Sequence, residues 1–114
     1  MFAMSAPPRS APSGYRVRAL ALGDGSDWLI GNGRHRLGRS DTADLRLAHA
    51  TVSRLHAEVE VMDGGGVVLT DLDSTNGTWL GDRRVTRVAL SGDFDIRLGA
   101  LCLEFLVVDA HEPR

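Results

Sequence analysis

From Tyr15 to Asp109 the chain contains no proline, and its apolar residues come in short runs that end on glycine. All four prolines, Pro7, Pro8, Pro12 and Pro113, lie near the ends. Proline lacks the N–H that a ladder needs and fixes its own φ, so interior strands exclude it. Glycine reaches positive φ without strain and closes tight turns. A chain punctuated in this way is expected to fold as many short strands joined by turns.

The strands are read from the period-2 alternation. In Tyr15–Leu22, Val17, Ala19 and Ala21 oppose Arg16 and Arg18. Gly23-Asp24-Gly25-Ser26 forms a turn, and Trp28-Leu29-Ile30 a second strand closed by Gly31-Asn32-Gly33. Those glycines lack the third glycine and the following helix of a dinucleotide fingerprint. Arg34–Leu37 is a third strand leading into Gly38-Arg39. The next segment is ambiguous. Leu45, Ala48, Val52, Leu55, Val59 and Met62 fall at helical spacing, which would make an amphipathic helix and a candidate DNA-reading element. Ala57–Val61, however, alternates at the strand period, and Thr51, Val52 and Ser53 are poor helix-interior residues. Periodicity leaves both readings open. Asp63-Gly64-Gly65-Gly66 and Gly81-Asp82 read as hairpin turns, and Asp93–Leu98 and Ala100–Val108 as two closing strands about Gly99. So many short strands point to a sandwich or a barrel. Residues 1–14 are expected to be a disordered arm, 15–109 the folded domain and 110–114 a tail.

At 114 residues the chain is expected to form one domain. A formal charge of -2 and a pI near 6.0 exclude a generally basic nucleic-acid binder, so any anion site must be local. The single cysteine, Cys102, lies between Leu101 and Leu103 and is expected to be a buried, reduced thiol in a cytoplasmic protein. No apolar run reaches the length of a membrane span, and Met1–Gly14 has no secretion-signal pattern.

Three short runs carry the chemistry: Gly38-Arg39, Thr51-Val52-Ser53-Arg54-Leu55-His56-Ala57 and Ser74-Thr75-Asn76-Gly77-Thr78. They bring guanidiniums, hydroxyls and a side-chain amide, but no carboxylate and no thiol. Such groups hold an anion. They also have plainer uses. Arg39 could pair with Asp41 or Asp44, Ser53 could bond its own backbone, and Asn76-Gly77 is a turn dipeptide. A hydrolase built on Ser53 and His56 with Asp71 or Asp73 would need a nucleophile elbow that the sequence lacks, and His35, His49, His56 and His111 show no metal-ligand spacing. No catalytic residue, metal or cofactor is expected.

With Ile96-Arg97-Leu98-Gly99 added, these runs resemble the signatures of the forkhead-associated (FHA) domain, in order and at family-like spacing over roughly residues 15–108. The resemblance implies an all-β sandwich of two twisted antiparallel sheets, with ligand loops at one end, and so favours strand over helix at 45–62. It implies that Arg39 and Ser53 contact a phosphothreonine, that Arg54 supports it, and that Asn76 holds the peptide backbone. Thr75 is then a further contact, Thr51 belongs to a specificity loop, and Gly38, His56 and Gly77 shape the loops. The expected function is a non-catalytic adaptor in serine/threonine kinase signalling, with threonine-phosphorylated kinases or substrates as partners and neither nucleic acid nor membrane among them. A phosphorylation-independent scaffold is the alternative. The serines of the arm, Ser5, Ser10 and Ser13, offer no threonine, so closure by the chain's own phosphothreonine is not expected. Two departures from the family pattern are Gly81-Asp82 where it often has Asn-Gly, and one extra residue between Gly92-Asp93 and Ile96, to be absorbed by a bulge or a longer turn.

Overall fold

A computed structural model describes residues 14–20 and 26–108; the expected arm, up to residue 13, and the tail lie outside them. The strands are β1 (Gly14–Ala19), β2 (Asp27–Ile30), β3 (Gly33–Gly38), β4 (Leu45–Arg46), β5 (Ala57–Val61), β6 (Val67–Asp71), β7 (Thr78–Leu80), β8 (Arg83–Val85), β9 (Arg87–Leu90), β10 (Phe94–Leu98) and β11 (Leu101–Val108). They form a six-stranded sheet ordered β2-β1-β11-β10-β7-β8 and a five-stranded sheet ordered β4-β3-β5-β6-β9. Every pair is antiparallel except the two-residue parallel bridge between β3 and β4. Among the described residues there is no helix, so the segment 45–62 resolves as strand, loop and strand. Nor is any helix long and apolar enough to cross a membrane.

The alternation does what a sandwich requires. Tyr15, Val17 and Ala19 of β1, Leu101, Leu103 and Phe105 of β11, and Ile96 and Leu98 of β10 are buried, as are Ala57, Val59 and Val61 of β5 and Val67 and Leu69 of β6. They meet in one core. At one end Phe94 stacks on Phe105, centroids 4.8 Å apart, and Tyr15 meets Phe105 edge-on and Phe94 at a tilt. The Tyr15 hydroxyl finds a partner in the Gly65 carbonyl at 2.9 Å.

Several expectations change in detail. Gly14 belongs to β1 and not to the arm; a Cβ there would lie 2.1 Å from the Ile30 carbonyl oxygen, so the β1–β2 approach needs glycine. The strand β9 was not anticipated, because in Arg87–Leu90 only Val88 and Leu90 are partly buried, as an edge strand requires. The extra residue before Ile96 is taken up by the turn at Gly92, whose φ is 72°. No bulge is needed, since β10 pairs with β11 without interruption from Phe94↔Phe105 to Leu98↔Leu101.

Cys102 is a correction. Its thiol is exposed, not buried. Leu101, Leu103 and Phe105 point into the core, and period 2 therefore turns Cys102 outward; apolar neighbours in sequence are opposite neighbours in a strand. The contrast is testable by urea denaturation. Phe105→Ala is expected to lower stability by about 3–5 kcal/mol, and Cys102→Ser by less than about 0.5 kcal/mol.

Candidate functional site

Three connections and one tight turn converge at one end of the sandwich: β3–β4, β4–β5, β6–β7 and the β10–β11 turn. Contacts between backbones lock them together. Arg39 N–H donates to the Ser53 carbonyl at 3.0 Å, Ser40 N–H to the Arg54 carbonyl at 3.0 Å, and Gly99 N–H to the Gly77 carbonyl at 2.9 Å. Two glycines make this approach possible. A Cβ on Gly38 would fall 2.0 Å from the Arg54 carbonyl oxygen, and one on Gly99, at φ 61°, would fall 2.3 Å from that of Thr51.

His56 is the bridge between two of these connections. Its ring is fully buried, at 0% exposure. Nδ1 accepts the Ser53 N–H at 3.0 Å, which places the proton on Nε2, and Nε2–H donates to the Gly77 carbonyl at 2.9 Å. Burial pushes the His56 pKa below its ordinary value, outweighing the Gly77 carbonyl and Asp71, which favour the charged form. A second acceptor holds the β6–β7 connection. The Asp71 carboxylate takes the Ser74 N–H at 3.0 Å and the Ser74 and Thr78 hydroxyls at 2.6 Å each. Its partial burial acts to raise its pKa, but these hydroxyl and amide bonds prevail and hold the carboxyl below the usual range. Ser74 Oγ in turn accepts the Gly77 N–H at 3.0 Å, and Gly77 keeps φ 91°, where its Cβ would also press on Trp79 and Arg84.

On this frame opens a cleft of ≈ 150 Å³, lined by Arg39, Ala50, Thr51, Val52, Ser53, Thr75 and Asn76. Arg39 Nε is fixed on the Val52 carbonyl at 2.9 Å, which leaves the terminal nitrogens of its guanidinium without a partner among the described residues. The alternative pairing with Asp44 does not occur; that carboxylate accepts the Arg36 N–H at 2.7 Å and faces the Arg36 guanidinium. Ser53 Oγ accepts the Thr75 N–H at 3.1 Å, joining two loops, and does not close a turn on its own backbone. One amide hydrogen of Asn76 goes to the Thr51 carbonyl at 2.9 Å, so its second hydrogen and its Oδ1 stay available.

The sequence-derived residues Arg39, Thr51, Ser53, Thr75 and Asn76 are thus brought together on one open surface. Gly38, His56 and Gly77 lie behind it as loop-shaping residues. Arg54 is exposed and does not line the cleft; its carbonyl, not its guanidinium, ties the β3–β4 connection. Two contributors were not foreseen. His49 Nδ1 lies 2.9 Å from Thr51 Oγ1, which also accepts the Ala100 N–H at 2.8 Å, so Thr51 is anchored on both sides. The sequence presents Asp71 only as a catalytic candidate, although an aspartate just ahead of a turn, where its carboxylate can bond nearby backbone N–H groups, is a signal of this structural role.

The FHA domain model matches residues 35–99, more than half of the chain. The chain belongs to the FHA domain family. This FHA domain is 32% identical over 97 residues to the glycogen accumulation regulator GarA of Mycolicibacterium smegmatis, covering 83% of this chain and 61% of GarA. It is 39% identical over 82 residues to the FHA domain-containing protein FhaA of Mycobacterium tuberculosis, covering 70% of this chain and 15% of FhaA. The domain therefore spans less than two thirds of either relative. A solved structure from a structural and functional analysis of phosphothreonine-dependent FHA domain interactions superposes with a TM-score of 0.73 at 30% identity, covering 89% of this chain and 99% of that one.

The buried imidazole gives the domain a defined pH dependence. Folded His56 takes up a proton less readily than it does in the unfolded chain, where its value is near the ordinary 6.5. Its contribution is complete above that value and is lost as pH falls below it toward the folded pKa, by at most about 1.4 kcal/mol per pH unit. Asp71 acts with the same sign, but only in acid near and below 3.8. Urea midpoints measured at about pH 7.5 and about pH 5.5 are expected to fall with pH, and to fall less steeply from a lower starting point in His56→Gln. An equal slope in the variant would assign the dependence elsewhere.

Proposed function

We propose that this FHA domain binds peptides containing phosphothreonine and acts as a non-catalytic adaptor in serine/threonine kinase signalling. One observation carries the reading: the free edge of the Arg39 guanidinium, the Ser53 hydroxyl and the Asn76 amide face the same open cleft. A phosphothreonine brings close to two negative charges and several acceptor oxygens, and is held best by a fixed cation with additional donors. Arg39 supplies a planar donor fork that is already oriented through Nε, so little side-chain freedom is lost on binding. Ser53 Oγ, having accepted the Thr75 N–H, still has its own proton to donate. Asn76 offers one N–H and one carbonyl oxygen, the pair that an extended peptide backbone matches. Ala50, Thr51 and Thr75 bring methyl groups to the lining, which supports a preference for phosphothreonine over phosphoserine by about 1 kcal/mol of methyl burial.

The same contacts argue against catalysis. Both nitrogens of His56 are engaged by backbone groups, so neither serves Ser53 Oγ as a base. Asp71 bonds hydroxyls and not the imidazole. The partners that fit are threonine-phosphorylated proteins, either kinases or their substrates. GarA, named a regulator, and the solved structure of phosphothreonine-dependent FHA interactions support that class. An exposed free thiol at Cys102 suits a reducing, cytoplasmic setting.

Isothermal calorimetry with a phosphothreonine peptide library and its unphosphorylated and phosphoserine counterparts tests this reading. Binding is expected only with phosphate, and more tightly with threonine. Arg39→Ala and Ser53→Ala are each expected to weaken it by about 1.5–3 kcal/mol, roughly ten- to a hundredfold, with circular dichroism unchanged. Equal binding of all three peptide forms, or retention of partner binding in Arg39→Ala, would instead make the domain a phosphorylation-independent scaffold.

A further inference from the structure

The outer face of the six-stranded sheet carries a row of side chains next to the cleft that the cleft itself does not use. Arg84 of β8, Trp79 of β7 and Arg97 of β10 are successive cross-strand neighbours. Both guanidiniums pack on the indole, Arg84 at 5.9 Å and Arg97 at 4.9 Å from the ring centroid. The row is fastened to the cleft loops at three points. Trp79 Nε1 donates to the Asn76 carbonyl at 3.0 Å, Arg84 Nη2 reaches the Ser74 carbonyl at 3.5 Å, and Arg97 Nη1 donates to the Gly99 carbonyl at 2.7 Å.

Charge is distributed unevenly around this row. The ion pairs among the described residues are made by Arg16, Arg18, Arg34 and Arg36 on β1 and β3. Arg84 and Arg97 have no carboxylate within 4.0 Å among the described residues. In the next row of the same face Glu104 is taken by Arg18, and Asp95 opposite it, two residues from Arg97 along β10, is an exposed carboxylate with no ion pair among the described residues and more than 4.0 Å from the Arg97 guanidinium. A guanidinium held over an indole keeps donors for further partners, and the contact already restricts its rotamers. Such a pair is suited to carboxylates arriving from solvent.

We infer that the Arg84–Trp79–Arg97 row is a second contact surface for the same ligand, taking Asp or Glu side chains on one flank of the phosphothreonine peptide. The inference rests on the phosphothreonine reading of the cleft. Continuity selects this occupant. Trp79 is hydrogen-bonded to Asn76, so an extended peptide held at Asn76 and advancing about 3.3 Å per residue reaches the row within a few residues. Complementarity of charge selects the residue type, and the surface adds discrimination among phosphopeptides that the cleft alone would hold alike.

Three phosphothreonine peptides test it: one with neutral flanks, one with Glu and Asp on the N-terminal flank and one with them on the C-terminal flank. One of the two acidic peptides is expected to bind about two- to tenfold tighter than the neutral one at low salt, with the advantage shrinking as ionic strength rises. In Arg84→Gln/Arg97→Gln the acidic-to-neutral affinity ratio is expected to approach one. The single Arg84→Gln, at an exposed side chain, is expected to fall between wild type and the double variant and keeps the test valid if the double variant folds poorly. Equal affinity of all three peptides for the wild type overturns the inference while leaving the cleft reading intact, as does an acidic preference that persists in both variants. Binding of none of the three overturns the cleft reading and this inference together.

Discussion

The site depends on one buried imidazole. His56 belongs to the β4–β5 connection, yet its Nδ1 receives the Ser53 N–H and its Nε2–H reaches Gly77 on the β6–β7 connection. Its own backbone N–H donates to the Leu37 carbonyl and its carbonyl accepts the Leu72 N–H, so one residue joins the ends of β3 and β6 as well. A polar ring removed from water is tolerated only when each of its hydrogen-bonding atoms is matched. Here the match requires the neutral Nε2–H tautomer and both loops in their observed places. Displacing either loop would leave a buried donor or acceptor without a partner, and this couples the two irregular segments to each other.

The cleft follows from that coupling and from what it leaves unsatisfied. Arg39 is held through Nε and its backbone N–H, Ser53 through its backbone and by the incoming Thr75 N–H, and Asn76 through one amide hydrogen. Each keeps at least one donor turned outward. Preorganised donors of this kind lose little entropy when an anion arrives, whereas the same groups on a mobile loop would first have to be ordered. The arginines of the described ion pairs lie on β1 and β3, with Asp44 on the β3–β4 connection drawn toward Arg36 and not paired with Arg39.

Much of the fold can be read from local pattern. The glycine turns at 63–66 and 81–82 close the hairpins β5–β6 and β7–β8, and the alternation in β5 and β11 matches their buried faces. The failures share a cause. The apolar neighbours of Cys102 suggest burial, whereas the strand period turns it away from them; β9 is a weakly apolar edge strand; and the helical spacing from Leu45 to Met62 is a coincidence across a loop. The motif residues of the cleft were recognised through a family resemblance, not through their chemistry alone, because each had an ordinary turn or ion-pair explanation. His49 behind Thr51, Asp71 behind Ser74, and Arg84 beside Trp79 carried no comparable pattern, and Arg97 stood in a family-like run that gave it no role. Their roles arise between segments far apart in the chain.

The amino-acid sequence by itself determined that residues 15–109 form a proline-free succession of short strands carrying guanidinium, hydroxyl and amide groups suited to an anion, since period, turn chemistry and residue type act over a few neighbouring positions. Only the tertiary structure decided that Arg39, Ser53 and Asn76 share one cleft, that Arg54 stands outside it, and that the Cys102 thiol meets solvent. Those outcomes depend on close backbone approach at Gly38 and Gly99 and on the hydrogen bonds of His56. Such contacts join distant parts of the chain and exist only once the two sheets have packed.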